Sequence, residues 1–225
     1  MASALKQELK SSKDSTPALD HPNKPTNVCV FCGASPGTRS AHLSAARALA
    51  RALHRNNMHL VYGGGTVGMM GELAKTLVSL SGPEAVHGIM PETLMKLERN
   101  FGDEKTFGRL TIVADMHTRK QMMAREVIKG GPGGGFVALS GGYGTLEELM
   151  EAVTWNQLGI HERGVVVFNV DGYWDGLLQW VDKAVESGFI AKSNRSIMVE
   201  AKEADDVVAE LKGYQNSHES RITRE

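Results

Sequence analysis

Phe136-Val137-Ala138-Leu139-Ser140-Gly141-Gly142-Tyr143-Gly144-Thr145-Leu146-Glu147-Glu148-Leu149 is the stretch from which the fold can be read. Phe136 to Leu139 form an apolar run of strand length. A glycine turn follows, and a helix is expected to open at Thr145. A strand, a glycine turn and a helix N-terminus together leave backbone N–H groups free to meet an anion. Glu148 is expected in the first turn of that helix. A phosphate cradle beside a carboxylate points to chemistry on a phosphorylated small molecule. Thr145-Leu146-Glu147-Glu148 also has the Thr-x-x-Glu form of a capping box, which would explain Glu148 structurally.

A second glycine turn repeats the pattern. Met58-His59-Leu60-Val61-Tyr62 reads as a strand, Gly63-Gly64-Gly65-Thr66-Val67-Gly68-Met69-Met70-Gly71 as the turn, and Glu72 to Leu80 as a helix. Gly63, Gly65 and Gly68 fit G-x-G-x-x-G, a weak signal when alone. The turn follows the second expected strand, and no acidic residue clearly fills the ribose-binding place, although Glu92 is nearby. A mononucleotide phosphate site is therefore expected in preference to a dinucleotide site.

Outward from these turns, β-branched runs alternate with helical patterns. Strands are expected at Val28–Phe31, His59–Tyr62, Ala85–Ile89, Leu110–Val113, Phe136–Leu139, Val165–Val170 and Ile197–Val199. Helices are expected at Leu43–His54, Leu146–Leu158, Trp174–Ser187 and Ala204–Tyr214. Nearly all-apolar strands separated by helices imply a parallel sheet covered on both faces. The expected fold is a single-domain α/β, doubly wound (Rossmann-like) parallel sheet of about seven strands flanked by helices. Ligands of such sheets bind beyond the strand C-termini, where both glycine turns fall. The domain is expected over residues 27–214, after a disordered N-terminal arm, 1–26, and before a polar tail, 215–225. Gly130 to Gly135 reads as a flexible link between a helix and the strand at Phe136.

A chain of 225 residues is long enough for one α/β domain with a full core. Its net charge of −1 gives no electrostatic case for nucleic acid or an anionic membrane. There is no apolar run of about 18 residues for a transmembrane helix. The N-terminus lacks an apolar signal core, and Glu8, Asp14 and Asp20 argue against a transit peptide. The expected location is cytoplasmic. Cys29 and Cys32 have C-x-x-C spacing, but on a strand they face opposite sides, and no second pair completes a zinc site. Buried thiols in a reducing compartment are expected instead.

Asp115-Met116-His117-Thr118-Arg119-Lys120 follows the strand Leu110–Val113 and opens a helix at the same sheet edge. Two adjacent cations there oppose the helix dipole, and both suit a phosphate or a ribose hydroxyl.

At these residues the chain resembles a known family. Ser140-Gly141-Gly142-Tyr143-Gly144-Thr145-Leu146-Glu147-Glu148 resembles the P-G-G-x-G-T-x-x-E signature of the LONELY GUY family, the cytokinin riboside 5′-monophosphate phosphoribohydrolases. Met116-His117-Thr118-Arg119-Lys120 resembles that family's M-H-x-R-K segment. Cys32-Gly33-Ala34-Ser35, the turn from Gly63 to Gly71, and Ala152-Val153-Thr154-Trp155-Asn156-Gln157-Leu158-Gly159-Ile160-His161 are similar to further family motifs. The resemblance runs from Asn27 to Tyr214.

The resemblance implies Arg119 and Glu148 as the catalytic pair. It implies Glu98, Lys120, Gly142, Tyr143, Gly144, Thr145, Leu146, Glu147 and Thr154 as substrate-binding residues. Ser35, Gly64, Gly65 and Thr66 are the expected phosphate-loop residues. Three departures stand out: Ser140 replaces the signature proline, the Gly130–Gly135 segment lengthens the spacing from Arg119 to Glu148, and the N-terminal arm has no counterpart.

The implied reaction is hydrolysis of the N-glycosidic bond of a cytokinin riboside 5′-monophosphate, yielding the free base and ribose 5-phosphate. A carboxylate suits the oxocarbenium character this builds on the ribose. No cofactor or metal is implied, and none of the eight histidines forms a metal pattern such as H-E-x-x-H. Met90, Met95, Met116, Met122 and Met123 are candidates for an apolar slot around the prenyl chain, most of them expected to be plain core. A nucleoside monophosphate substrate and a homodimer are the implied partners. Hydrolysis of ordinary AMP and a non-catalytic nucleotide carrier or sensor are the alternatives.

Overall fold

In a computed structural model of the protein, residues 24–95 and 103–215 are described. Strands β1 (Thr26–Phe31), β2 (Met58–Tyr62), β3 (Val86–Pro91), β4 (Arg109–Val113), β5 (Gly135–Ala138), β6 (Gly164–Phe168) and β7 (Met198–Ala201) form one seven-stranded sheet. The order is β4-β3-β2-β1-β5-β6-β7, with every pairing parallel. Helices α1 (Ser40–Arg55), α2 (Gly68–Ser81), α3 (Met116–Lys129), α4 (Tyr143–Gln157), α5 (Asp175–Glu186) and α6 (Ala204–Gly213) cover it. The doubly wound parallel sheet expected from the sequence is the observed fold.

Alternation along the strands sorts the core into two layers. Val28, Val30 and Cys32 join α1, α2 and α6 on one face. Cys29 and Phe31 join α3, α4 and α5 on the other. The two cysteines are buried, free and on opposite faces, as strand periodicity requires. Burial raises both thiol pKa values well above their ordinary range.

Strand order explains where a ligand would go. The chain steps outward from β1 to β4, and α3 then carries it back to β5, on the other side of β1. The loops after β1 and β5 therefore diverge at this switch point and open a crevice. They are joined at its base, where Leu139 N donates to Phe31 O and Gly33 N donates to Ser140 O, both at 3.0 Å.

Several boundaries differ from the sequence reading. Ala85 ends a short 3-10 turn, Pro83–Ala85, and the strand starts at Val86. Ile197 likewise ends a 3-10 segment before β7. Thr26 belongs to β1 and not to an arm. Residues 1–23 and 216–225 lie outside the described residues, so the expected arm and tail lie almost wholly there.

Two differences have chemical consequences. Helix α4 starts at Tyr143 with Gly142 as its N-cap, so Thr145 lies inside the helix and cannot form the expected capping box. Glu148 then sits in the second turn, and the capping explanation for it falls away. The Gly130–Gly135 link is also firmly held. Arg163 donates from Nη1 to Gly131 O and from Nη2 to Ile128 O and Gly130 O, at 2.7–2.9 Å. Gly131 N donates to Pro25 O, and Thr26 Oγ1 donates to Pro132 O. Buried backbone groups demand partners, and one arginine supplies three of them here.

Candidate active site

A cleft of about 730 Å³ opens at the β1/β5 switch point, a size that suits a small-molecule site. The loop from Gly33 to Thr38, the segment Ser140–Gly142, the start of α4 and Arg119 line it.

Arg119 comes from the first turn of α3, which Asp115 starts by accepting from Thr118 N at 2.7 Å. Its guanidinium passes over Gly63 at the end of β2. A Cβ on Gly63 would stand 2.5 Å from Arg119 Nη2, so the missing side chain is what admits the arginine. Arg119 Nη2 donates to Glu148 Oε1 at 2.8 Å. Both residues are more than nine-tenths buried. Arg119 Nε is buried without a hydrogen-bond partner among the described residues, and Glu148 Oε2 has none there either. A buried polar atom left unpaired is unusual and marks a place where a ligand can complete the bonding. Burial raises the Glu148 pKa above its ordinary value, with Arg119 pulling in the opposite direction.

The start of α4 separates glycines held by the protein from glycines that leave space. A Cβ on Gly141 would stand 2.0 Å from Thr145 Oγ1, so packing forbids one. A Cβ on Gly142 or Gly144 would meet no atom within 4 Å, yet both residues line the cleft. Their backbone is bare towards the crevice at a helix N-terminus, which is how an anion gains close approach.

Other expected residues distribute unevenly. Thr145 and Glu147 line the cleft, as does Ser35. Gly64 and Gly65 are buried against the protein and, with Thr66, do not line it; the second glycine turn contributes Gly63 and, beyond it, Met69 and Met70. Lys120 is directed to Glu147 and to Glu151, the latter at 2.8 Å, so it is neutralised against α4 and does not reach the main cleft. It borders a smaller pocket beside Glu148. Thr154 donates back to Met150 O within its own helix and lies away from the cleft. Tyr143 is exposed, and Leu146 packs against the core. Glu98 lies outside the described residues. Of the five methionines proposed for an apolar slot, Met116 lines the cleft and Met90 and Met123 are core. Among the described residues no cluster of acidic, histidine or cysteine side chains could hold a metal.

His42, from the first turn of α1, and Tyr173, just beyond β6, also line the cleft and were missed in the sequence. Their positions carry a signal: each lies in the connection that leaves the C-terminus of a strand, Tyr173 after β6 and His42 at the start of the helix that follows β1, the edge where parallel sheets place ligands.

Comparison with known proteins shows the family. A family model described as "possible lysine decarboxylase" matches residues 70–211. Cytokinin riboside 5′-monophosphate phosphoribohydrolase LOG4 of Arabidopsis thaliana is 45% identical over 197 residues, covering 88% of this chain and 86% of that protein. LOG1 of the same plant is 44% identical over 192 residues, covering 85% of each. A bifunctional cytokinin biosynthesis protein of Fusarium pseudograminearum is 54% identical over 192 residues, and this chain spans only 39% of its length. Among solved structures, a molybdenum cofactor carrier protein of Chlamydomonas reinhardtii has a TM-score of 0.60 at 18% identity, covering 84% of this chain and 96% of that one. At that identity the likeness is one of fold.

Proposed function

The chain belongs to the LONELY GUY family of cytokinin riboside 5′-monophosphate phosphoribohydrolases, and from that premise we propose that it hydrolyses the N-glycosidic bond of such monophosphates. The observation that carries the reading is the buried Arg119–Glu148 pair at the wall of the switch-point cleft. The C1′–N bond breaks with its electron pair going to the base, which gains a proton, while water adds to C1′ and loses one. Glu148 supports the positive charge that builds on the ribose and receives or directs the proton of the attacking water. Arg119 keeps that carboxylate ionised and aimed despite its burial. It also has unpaired N–H capacity for the phosphate or ribose. The bare backbone of Gly142 and Gly144 takes the 5′-phosphate. Met116, Met70 and Leu94 supply apolar wall for a prenyl chain.

Catalysis as a homodimer in the cytoplasm is part of the same reading. The free thiols of Cys29 and Cys32 suit a reducing compartment. No helix among the described residues is long and apolar enough to cross a membrane.

The test is incubation with isopentenyladenosine monophosphate and with AMP, following base release by chromatography. Release of isopentenyladenine with ribose 5-phosphate is expected. Faster release of adenine from AMP would favour the broader hydrolase, and tight binding without any release would favour a carrier.

A further inference from the structure

The residue that departs from the family signature is tied to a side chain that the proposed reaction does not use. Ser140 stands where the signature has proline. Its Oγ lies 2.9 Å from His42 Nδ1, in a bond that joins the loop after β5 to the first turn of α1 across the switch point. Proline has no group that could make it. Ser140 is buried, and Tyr173 meets the imidazole edge-on at 5.8 Å while its hydroxyl donates to Gly141 O. The ring is thus held from two sides. His42 Nε2 has no protein partner among the described residues, and His42 lines the cleft.

The charged residues of the cleft lining are Arg119, Glu147 and Glu148, of which Arg119 pairs with Glu148 and Glu147 pairs with Lys120. Ser140 and Gly37 lie against His42, and the other polar lining, from Ser35, Thr38 and Gly141, adds hydroxyls and backbone but no carboxylate among the described residues. The nearby ion pair of Arg39 with Asp171, at 3.1 Å, is internally neutralised. An anionic group beside His42 meets no carboxylate among the described lining residues there.

We infer that Ser140 and His42 form a phosphate-reading pair, in which Ser140 holds the imidazole by Nδ1 so that Nε2–H donates to the substrate's 5′-phosphate. The inference rests on the nucleoside monophosphate reading above. The bond to Ser140 accommodates either ring tautomer, and the bound anion selects between them. When the serine hydroxyl donates to Nδ1, the ring proton is on Nε2, and in the imidazolium the hydroxyl accepts from Nδ1–H with Nε2–H still in place. Only the neutral Nδ1–H form would turn a lone pair on the anion, so a bound phosphate selects against it. His42 is then a specificity residue and Ser140 a positioning residue that acts through it.

The experiment compares the wild type with H42F, H42Q, S140A and S140T. It measures kcat/KM for isopentenyladenosine monophosphate and for isopentenyladenosine, the Kd for ribose 5-phosphate by calorimetry, and thermal melting. H42F is expected to weaken ribose 5-phosphate binding about tenfold and to lower the monophosphate-to-riboside ratio by the same factor, since one bond to a charged group is lost. Its kcat/KM on the riboside should fall by much less than that on the monophosphate. H42Q, which keeps a donor, and S140T, which keeps the hydroxyl, should recover most of the loss, whereas S140A should show part of it. A large wild-type ratio that H42F and S140A both leave intact overturns the inference alone. An equal fall on both substrates, with ribose 5-phosphate binding retained, makes the pair structural and also overturns it. A wild-type ratio near one overturns the phosphate reading of the cleft, and the inference with it.

Discussion

Glu148 decides the chemistry at the scale of single residues, and its surroundings make a definite demand on pH. Burial raises its pKa above the ordinary glutamate value, and the proposed reaction needs it ionised. Activity should therefore fall on the acid side, with a midpoint higher than that of a solvated glutamate, as the carboxylate takes up its proton. The acid limb of kcat/KM checks this, and a midpoint at or below the value of a solvated glutamate would contradict it. E148Q should lower kcat by roughly 10³-fold, the loss typical of removing a charge-stabilising group. Its melting temperature should fall modestly, because the amide oxygen can still accept from Arg119 but the buried guanidinium loses its counter-charge. If E148Q turns over normally, Glu148 is structural after all. G63A tests the pair from the other side. An added Cβ must displace Arg119 Nη2 from 2.5 Å, so turnover should drop with the fold retained by circular dichroism.

Two devices act at the scale of the elements, and neither lines the main cleft. His161 lies in the turn after α4, where Nε2 donates to Ala152 O and Nδ1 accepts from Arg163 N, at 3.0 and 3.1 Å. Both ring nitrogens are thus satisfied in the neutral form, and burial lowers the pKa to about 4. The unfolded chain binds the proton more tightly than the fold does. The contribution is fully present above pH 6.5, and it is lost as pH falls through about 4. A shift of that size corresponds to roughly 3 kcal/mol over the window. Urea midpoints between pH 7 and pH 4 should decline, and H161Q should flatten the decline while being less stable at pH 7. Arg163 is the second device. R163M should cost about 2 kcal/mol, because three carbonyls lose their donor. Thermal melting at pH 7 measures that cost, and an unchanged midpoint would mean that water replaces the guanidinium freely.

Assembly and substrate choice belong to the whole molecule. The homodimer of the proposed reading predicts a light-scattering mass of twice the chain's 24.4 kDa, and a mass near 24.4 kDa at micromolar concentration would contradict it. Lys120 and Thr154, which the single chain keeps out of the main cleft, leave their implied substrate contacts without support from this geometry. The 5′-phosphate should be the main handle for selection. The exposed backbone at Gly142 and Gly144 offers donors that an uncharged riboside leaves unsatisfied. Such discrimination can reach about 10⁴-fold. The ratio of kcat/KM for monophosphate over riboside measures it.

The sequence by itself determined the sheet, its parallel sense, the opposite facing of Cys29 and Cys32, and the edge at which ligands bind. These follow from local periodicity, which strand and helix geometry impose on nearest neighbours. It also put Arg119 and Glu148 at that edge, through motifs with fixed local form. Only the tertiary structure decided what those side chains meet. Arg119 and Glu148 come from different helices and touch because α3 crosses from β4 back to β5, over Gly63. The apparent capping box dissolved because Gly142 starts α4 earlier than the Thr-x-x-Glu pattern suggests. The glycine-rich link is rigid because Arg163, distant in sequence, reaches its carbonyls. Gly64 and Gly65 are packed away although their motif reads as a phosphate loop, and Lys120 turns to carboxylates one helix over. Ser140 and His42, 98 residues apart, meet only where the strand order reverses. Periodicity fixes which face a residue takes, but the partner it finds there depends on strand order and helix crossing, which no local pattern encodes.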